Sequence, residues 1–492
     1  MARRVDFVGF FLAVTLAAQS KGQDAEGPYP RFRDGVAFPP PAAIVGAPFD
    51  VVKFFSAPPP EQNAAPLYLD ALWEFGTEMS GCFPSGPEND ARQRAMLARR
   101  RQEVEVEIAL TMNPKSVPTA EIDAMLANYD EGFRKLVAAQ VREHCVFQTG
   151  VGITALLPHV QSARQVSRVA AIKIRRELER GQFDDAIDDV KTVLRLNRDL
   201  QKRGYLITGL VVVAIESVVA RRMVEPILAA PGLTAGHCDF LIAVLDEYES
   251  KSIDPYAESV AMEYVSMRVT LWDLILHQDK LAKTSFVPAG ASVVKTLIEP
   301  MMPVEFRKDG GPAPASKFPD DIDAMVAATT PDELNKVVDR LNAYFKALYD
   351  LRGQTRLEQI RKRPKPEEFF KTNDPLTEII RAFLQPSVDR IGLYFGRGEA
   401  TFRAYKALIA IRRWQLTHNG ASPADLDAAC KAAGLKAAPL DSFDGKPLRY
   451  VTLDGQPVVY SIGKDGNDDG GKVDSEFDRR PGDLTFRLAA KK

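Results

Sequence analysis

The chain has 492 residues, 64 basic and 66 acidic side chains, a formal net charge of −2 and 45% apolar residues. That length exceeds one ordinary core and calls for two or three domains, and the apolar share argues against wholesale disorder. The near-neutral charge removes any global case for nucleic acid, because phosphate binding needs a concentrated basic face.

Arg3 and Arg4 precede a twelve-residue apolar run, Phe7 to Ala18, and Ala18 and Ser20 supply the small residues of a cleavage site. This is the pattern of an export signal over residues 1–20. Its apolar run is shorter than the ~20 residues that span a bilayer. A periplasmic or extracellular protein is therefore expected. Residues 21–62 carry nine prolines between Pro28 and Pro60, including Pro39-Pro40-Pro41 and Pro58-Pro59-Pro60. They predict an extended, partly polyproline II arm, with Val51, Val52, Phe54 and Phe55 suited to docking it on the body as a strap.

Residues 63–301 read as a helical body. Pro66 opens a helix whose Leu67, Tyr68, Ala71, Leu72 and Phe75 share one face. From Ser162 to Leu200, two apolar stripes separated by Gly181 predict a helical hairpin. The stretch Arg180 to Val190 resembles the second helix of a tetratricopeptide repeat, with Gly181 and Ala186 at the small positions, although no 34-residue period recurs. Leu206 to Ala220 is apolar but is broken by Glu216 and followed by Arg221 and Arg222. It reads as a core helix, so that no integral membrane segment remains once the signal is removed. Glu216 itself has two readings: an acid with a raised pKa, or a buried carboxylate paired with a neighbouring arginine.

Residues 302–320, with Gly310-Gly311 and four prolines, form a linker. A second helical segment over 321–394 contains Thr330-Pro331-Asp332-Glu333, a capping box with proline in the first turn. The basic stretch Arg361 to Pro366 reads as a solvated linker rather than a polyanion contact. Residues 395–492 form a separate α+β module: a long helix from Glu399, then strand-like runs punctuated by Asp444-Gly445 and Asp454-Gly455 turns, and a last strand over 484–488.

The four cysteines, Cys82, Cys145, Cys238 and Cys430, allow a Cys82–Cys145 disulfide in an exported chain, or four buried thiols. No Gly-x-Ser-x-Gly elbow, His-Glu-x-x-His, Cys-x-x-Cys or phosphate loop is present. The pairs His144-Cys145 and His237-Cys238 offer zinc-ligand types at untypical spacing. No catalytic residue is assigned, and the chain is expected not to be an enzyme.

The strongest chemical signal is Tyr460-Ser461-Ile462-Gly463-Lys464-Asp465-Gly466-Asn467-Asp468-Asp469-Gly470-Gly471. Between Asp465 and Asp483 there are seven acidic residues against three basic ones. Oxygen donors crowded on a Gly-rich loop suit a hard cation, so one calcium ion is expected, held by Asp465, Asn467 and Asp469 with Glu476 or Asp483 closing the site. The spacing also matches the EF-hand loop, but the residues before it read as strand rather than helix.

From Glu399 onward the order of elements resembles the globular head of the major pseudopilin of type II secretion systems. Leu440 to Tyr450 and Tyr460 to Gly471 stand at its two turn motifs, and Asp483-Leu484 at its late acidic-hydrophobic pair. The resemblance implies an α+β head with a calcium loop, and adds Ser461 as a ligand. It covers about 90 residues, and 380 or so others precede it where pseudopilins have a membrane helix. The whole resembles bacterial secreted proteins that place such a head behind a helical body. The fold class expected is thus mostly α, with stacked, partly tetratricopeptide-like helical hairpins and a small C-terminal pseudopilin-like module. The function expected is an exported, non-catalytic scaffold or binding protein of the cell envelope, with a protein or envelope partner. A carboxylate-based hydrolase and a type II secretion or filament-associated component are the alternatives.

Overall fold

Apolar residues at helical spacing put most of the chain into α-helix, and strands among the described residues are confined to a small antiparallel sheet near the C-terminus. The computed structural model describes residues 45–471 and 482–488, apart from 57, 77–86, 113–116, 148–149, 153–154, 156, 284–286, 299–317, 372–373 and 388–390. The export signal, most of the Pro-rich arm, most of the linker, Cys82 and Glu476 therefore lie outside the described residues. Among the described residues, no helix is long and apolar enough to cross a membrane.

Two large apolar cores organise the fold. The first is built by α1 (Ala65–Trp73), α2 (Pro87–Met112), α3 (Thr119–Ala127), α4 (Asp130–Ala139), α5 (Pro158–Glu179), α6 (Phe183–Asp199), α7 (Leu206–Val218) and α8 (Ala235–Lys251). The glycine between α5 and α6, Gly181, has φ +74°, a left-handed conformation that ends one helix and lets the next pack back against it. The apolar run read as a core helix is α7, with Leu206, Val211, Val212 and Ile215 buried. It continues through a π-helical turn at Val219–Val224.

The second core is built by α9 (Pro255–Leu276), α10 (Pro331–Tyr349) and α12 (Pro375–Ser387), with shorter helical turns such as Ile322–Ala327 between them, while α11 (Arg356–Arg361) joins a small third cluster in which Leu357 meets Ala400, Phe443 and Ile462. Val51, Phe54 and Phe55 dock into it, whereas Val52 points outward at 66% exposure. Arg203 fastens this strap by donating to the carbonyls of Phe54 (2.9 Å) and Ser56 (2.6 Å). At the start of α10 the Thr330 hydroxyl accepts from the Glu333 amide, and the Glu333 carboxylate accepts from the Thr330 amide, as the capping-box spacing requires.

The last long helix, α13 (Ile391–Thr417), belongs to both cores. Ile391 and Phe395 enter the second, while Phe402, Tyr405, Leu408, Ile409 and Ile411 enter the first between α7 and α8. After α14 (Leu426–Ala432) come β1 (Arg449–Leu453), β2 (Gln456–Ser461) and β3 (Leu484–Arg487), in sheet order β1-β2-β3 and antiparallel throughout. Asp454 (φ 52°) and Gly455 (φ 72°) make the two-residue hairpin turn, both left-handed as a type I′ turn demands. The sheet lies on α13, where the ring of Phe486 meets Tyr405 edge-on at 6.3 Å. Both cores run across the boundaries drawn from sequence at residues 301, 320 and 394.

Candidate functional site

The register of β1 against β2 brings the two turn motifs of the C-terminal module together around Asp441. This carboxylate is fully buried. Its Oδ1 accepts from the Ser461 hydroxyl (2.8 Å) and the Phe443 amide (3.0 Å), and its Oδ2 from the Ile462 amide (3.0 Å) and Arg449 (2.7 Å). Ser461 Oγ also accepts from the Gly463 amide at 3.2 Å. The hydroxyl of the expected calcium ligand Ser461 is thus engaged with Asp441 and the loop backbone.

The other end of the loop closes on Asp483, which is fully buried. Its Oδ2 accepts from the amides of Asp469 (3.0 Å) and Gly471 (2.8 Å), while Oδ1 is buried without a partner among the described residues. Burial holds this carboxyl above its ordinary pKa against the opposing pull of the two amides. Gly463 has φ +64°, and a Cβ there would stand 3.0 Å from the Gly482 carbonyl, so only glycine lets the two ends of the loop meet so closely. Asp465 is half-buried and its Oδ1 accepts from the Asn467 amide at 3.2 Å; Asn467 and Asp469 are exposed. Asp468, not among the expected ligands, accepts from the Tyr460 hydroxyl (3.1 Å) and the Gly470 amide (3.0 Å). Among the described residues no three His, Cys, Asp or Glu side chains stand together as a metal-binding set. In kind, the donors fit a hard cation: all are oxygens, and Asp483 Oδ1 is a buried acceptor that accepts from none of the described residues.

A second feature lies on the helical body and was not singled out from sequence. Two adjoining cavities, of about 650 and 530 Å³, follow one another along α6, the larger at its C-terminal end, and share Arg195 and Arg198 as a common wall. Asp199 fixes both arginines. Its Oδ2 accepts from Arg195 (2.9 Å) and the Tyr68 hydroxyl (2.9 Å), and its Oδ1 from Arg198 (2.9 Å). Lys202 and Lys251 join them around the larger cavity, giving four cations against the carboxylates of Asp199 and Glu143. The smaller cavity has an apolar wall of Val137, Leu194 and Val244, and Val137 on its α4 side is 55% exposed. It also holds Asp189, pushed up to about 7 by burial, and Glu247, held below its ordinary value by the Lys251 ammonium. The sequence does carry a signal for this groove. Arg195, Arg198 and Lys202 recur at i, i+3 and i+7, one face of a helix and its extension.

Glu216 accepts from the Tyr248 hydroxyl at 2.7 Å rather than pairing closely with an arginine, and burial pushes it up to about 7, with Glu399 and Glu249 adding to the rise. A carboxyl raised on folding keeps its proton longer in the native state, so ionising it costs stability as pH climbs from the ordinary carboxylate range to about 7. Glu216→Gln keeps the acceptor and removes the charge. It is expected to leave stability unchanged near pH 4 and to raise it by roughly 1–2 kcal/mol at pH 8. Urea titrations at the two pH values measure this, and a variant no more stable than the parent at pH 8 contradicts it.

The histidines and cysteines have structural surroundings. His237 Nδ1 accepts from the Thr234 amide at the start of α8 and its ring stacks on Phe183 at 4.6 Å. His159 is buried and pushed down to about 3, a neutral core imidazole. Cys145, Cys238 and Cys430 are buried thiols; the expected partner of Cys145, Cys82, is outside the described residues. No protein-family model, curated protein or solved structure matches the chain.

Proposed function

We propose that the chain is an exported, non-catalytic binding protein of the cell envelope, whose helical body holds a protein partner and whose C-terminal module is stabilised by calcium. The observation that carries the first half is the pair of cavities sharing Arg195 and Arg198, with cations around one and the exposed Val137 in the wall of the other. Such a groove suits an extended segment that brings carboxylates to the cationic end and an apolar side chain to the other. The helices that flank it are stacked in consecutive pairs, in a partly tetratricopeptide-like manner. Support for the calcium half is the orphaned Asp483 Oδ1 in a loop of oxygen donors. The likeness to a pseudopilin head is supported by the order of long helix, turn, hairpin, acidic loop and third strand.

The groove is tested with acidic, neutral and basic peptides by fluorescence anisotropy on the full chain. Acidic peptides should bind, and Lys202→Glu/Lys251→Glu should weaken them at least tenfold, about 1.4 kcal/mol. Equal binding of all peptides, or no effect of the substitutions, rejects the proposal.

A hydrolase has one observation in its favour: Asp189 and Glu247, with pKa values displaced in opposite directions, line the same cavity. Each is tied in an ion pair, Asp189 to Lys173 and Glu247 to Lys251. Turnover of chromogenic esters or glycosides that disappears in Asp189→Asn would move the assignment to hydrolysis.

A further inference from the structure

The helix α2 is 26 residues long and amphipathic in an unusual sense: it buries one face and leaves a second apolar face in the open. Met96, Glu103, Val106 and Leu110 are buried against the body. Glu103 accepts from Arg100 (2.8 Å) and from the Tyr129 hydroxyl (3.2 Å), and Glu107 pairs with Arg222 (2.5 Å), so this face fixes the helix in place. On the opposite face Leu97, Val104 and Ile108 are 46%, 36% and 57% exposed. Beside them, Ala91, Arg94, Ala98, Arg101 and Glu105 are also exposed, and Ala91, Arg94, Ala98, Arg101, Glu105 and Ile108 follow each other in steps of three and four. That is the spacing of a seam along which a second helix lies.

Charge decides which helix fits. Among the described side chains of α2, the exposed cations Arg94 and Arg101 precede the exposed carboxylate Glu105. Arg94 and Glu105 are eleven residues apart, about 16 Å along the axis, which puts them on one face but out of reach of each other. A second copy of α2 laid antiparallel across a two-fold axis satisfies both at once. Arg94 then faces Glu105 of the other copy, twice; Ala91 faces Ile108; Ala98 faces Arg101; and Leu97 lies beside Val104. A parallel copy would set Arg94 against Arg94 and Glu105 against Glu105.

We infer that the exposed face of α2 is a self-association surface, pairing two copies of this chain through antiparallel α2 helices. Residues 91 to 108 span about 26 Å of a helix about 10 Å wide, roughly 260 Å² of footprint per partner, well below the standard interface of about 800 Å² per partner. The dimer is therefore a weak, reversible one. Alanines at 91, 95 and 98 let the helices approach closely, and the two Arg94–Glu105 contacts set their direction.

The test is sedimentation equilibrium of the full chain up to about 0.5 mM, with R94E, E105R and R94E/E105R. Both positions of change are on the exposed face, and far-ultraviolet circular dichroism checks that each variant keeps its helix content. The parent should dimerise, each single variant should associate at least tenfold more weakly, and the double variant should return to within about threefold of the parent. A parent that stays monomeric throughout overturns the inference. So does a dimer indifferent to R94E, which uses another surface, and so does a double variant that fails to recover, because only the antiparallel register pairs 94 with 105.

Discussion

Arg356→Ala is expected to lower the stability of the folded chain by about 3 kcal/mol. The guanidinium is 7% exposed and donates to Asp254 Oδ1 (3.0 Å), Glu399 Oε2 (3.1 Å) and Gln359 Oε1 (2.8 Å). It lies between the rings of Tyr256 and Phe395, 6.0 and 5.9 Å from their centroids. Its own amide donates to the Ser442 carbonyl, so one residue joins the start of α9, the second half of the chain and the Asp441 turn. Alanine leaves two carboxylates facing each other across the space it vacates. Because Asp254 and Glu399 keep some access to water, the low end of the range for a broken buried pair applies. Arg356→Lys keeps the charge without the fork and should lose less. Guanidinium denaturation midpoints at constant slope measure both; an alanine variant within 1 kcal/mol of the parent would show that Arg356 is not the joint described.

Calcium at one hundred times its dissociation constant should raise stability by about 2.7 kcal/mol. Asp483 is the residue through which this is read. Without a cation its ionisation costs stability as pH rises, since burial has raised its pKa and Oδ1 accepts no hydrogen bond among the described residues. A bound cation removes that cost, so the gain from calcium should be larger at pH 8 than at pH 5. The measurement is the melting temperature of the full chain in calcium, magnesium and chelator, because α13 is shared with the body and the module's own small cluster of Ala400, Phe443 and Ile462 is completed by Leu357 from α11. Asp483→Ala and Asp469→Ala should each abolish the response. Should millimolar calcium leave the parent's melting temperature where the chelator puts it, the loop holds no ion.

What sequence could reveal here follows how local each signal is. The Thr330–Glu333 box, the left-handed Asp454-Gly455 turn, the helical run at Leu206 and the confinement of strands to the last 50 residues or so all depend on a few neighbouring side chains, and all are found among the described residues. Asp441 and Ser461 were readable as members of two turn motifs. That their side chains meet depends on the pairing of β1 with β2 and on β2 running into the loop, which neither motif contains. The groove is harder still. Its walls come from the 56–62 segment, α4, the 143–146 segment, α6 and α8, and only the i, i+3, i+7 basic stripe on α6 and its extension is visible in one stretch of sequence. Glu216 illustrates a different limit: its arginine neighbours in the sequence, Arg221 and Arg222, are not its partners, because Tyr248 on α8 reaches it first.

The first core draws on residues 64–250 and then, after more than a hundred residues devoted to the second core, on 402–459. A chain emerging from its N-terminus therefore makes α7 and α8 long before it makes the helix that covers them. Through that interval α7 and α8 have no α13 to pack against, and any early compaction is provisional. The last hundred residues act as the keystone of the first two hundred and fifty. Premature termination or clipping near residue 390 would not yield a shorter protein lacking one module; it would yield a body with an open core and apolar surface on display.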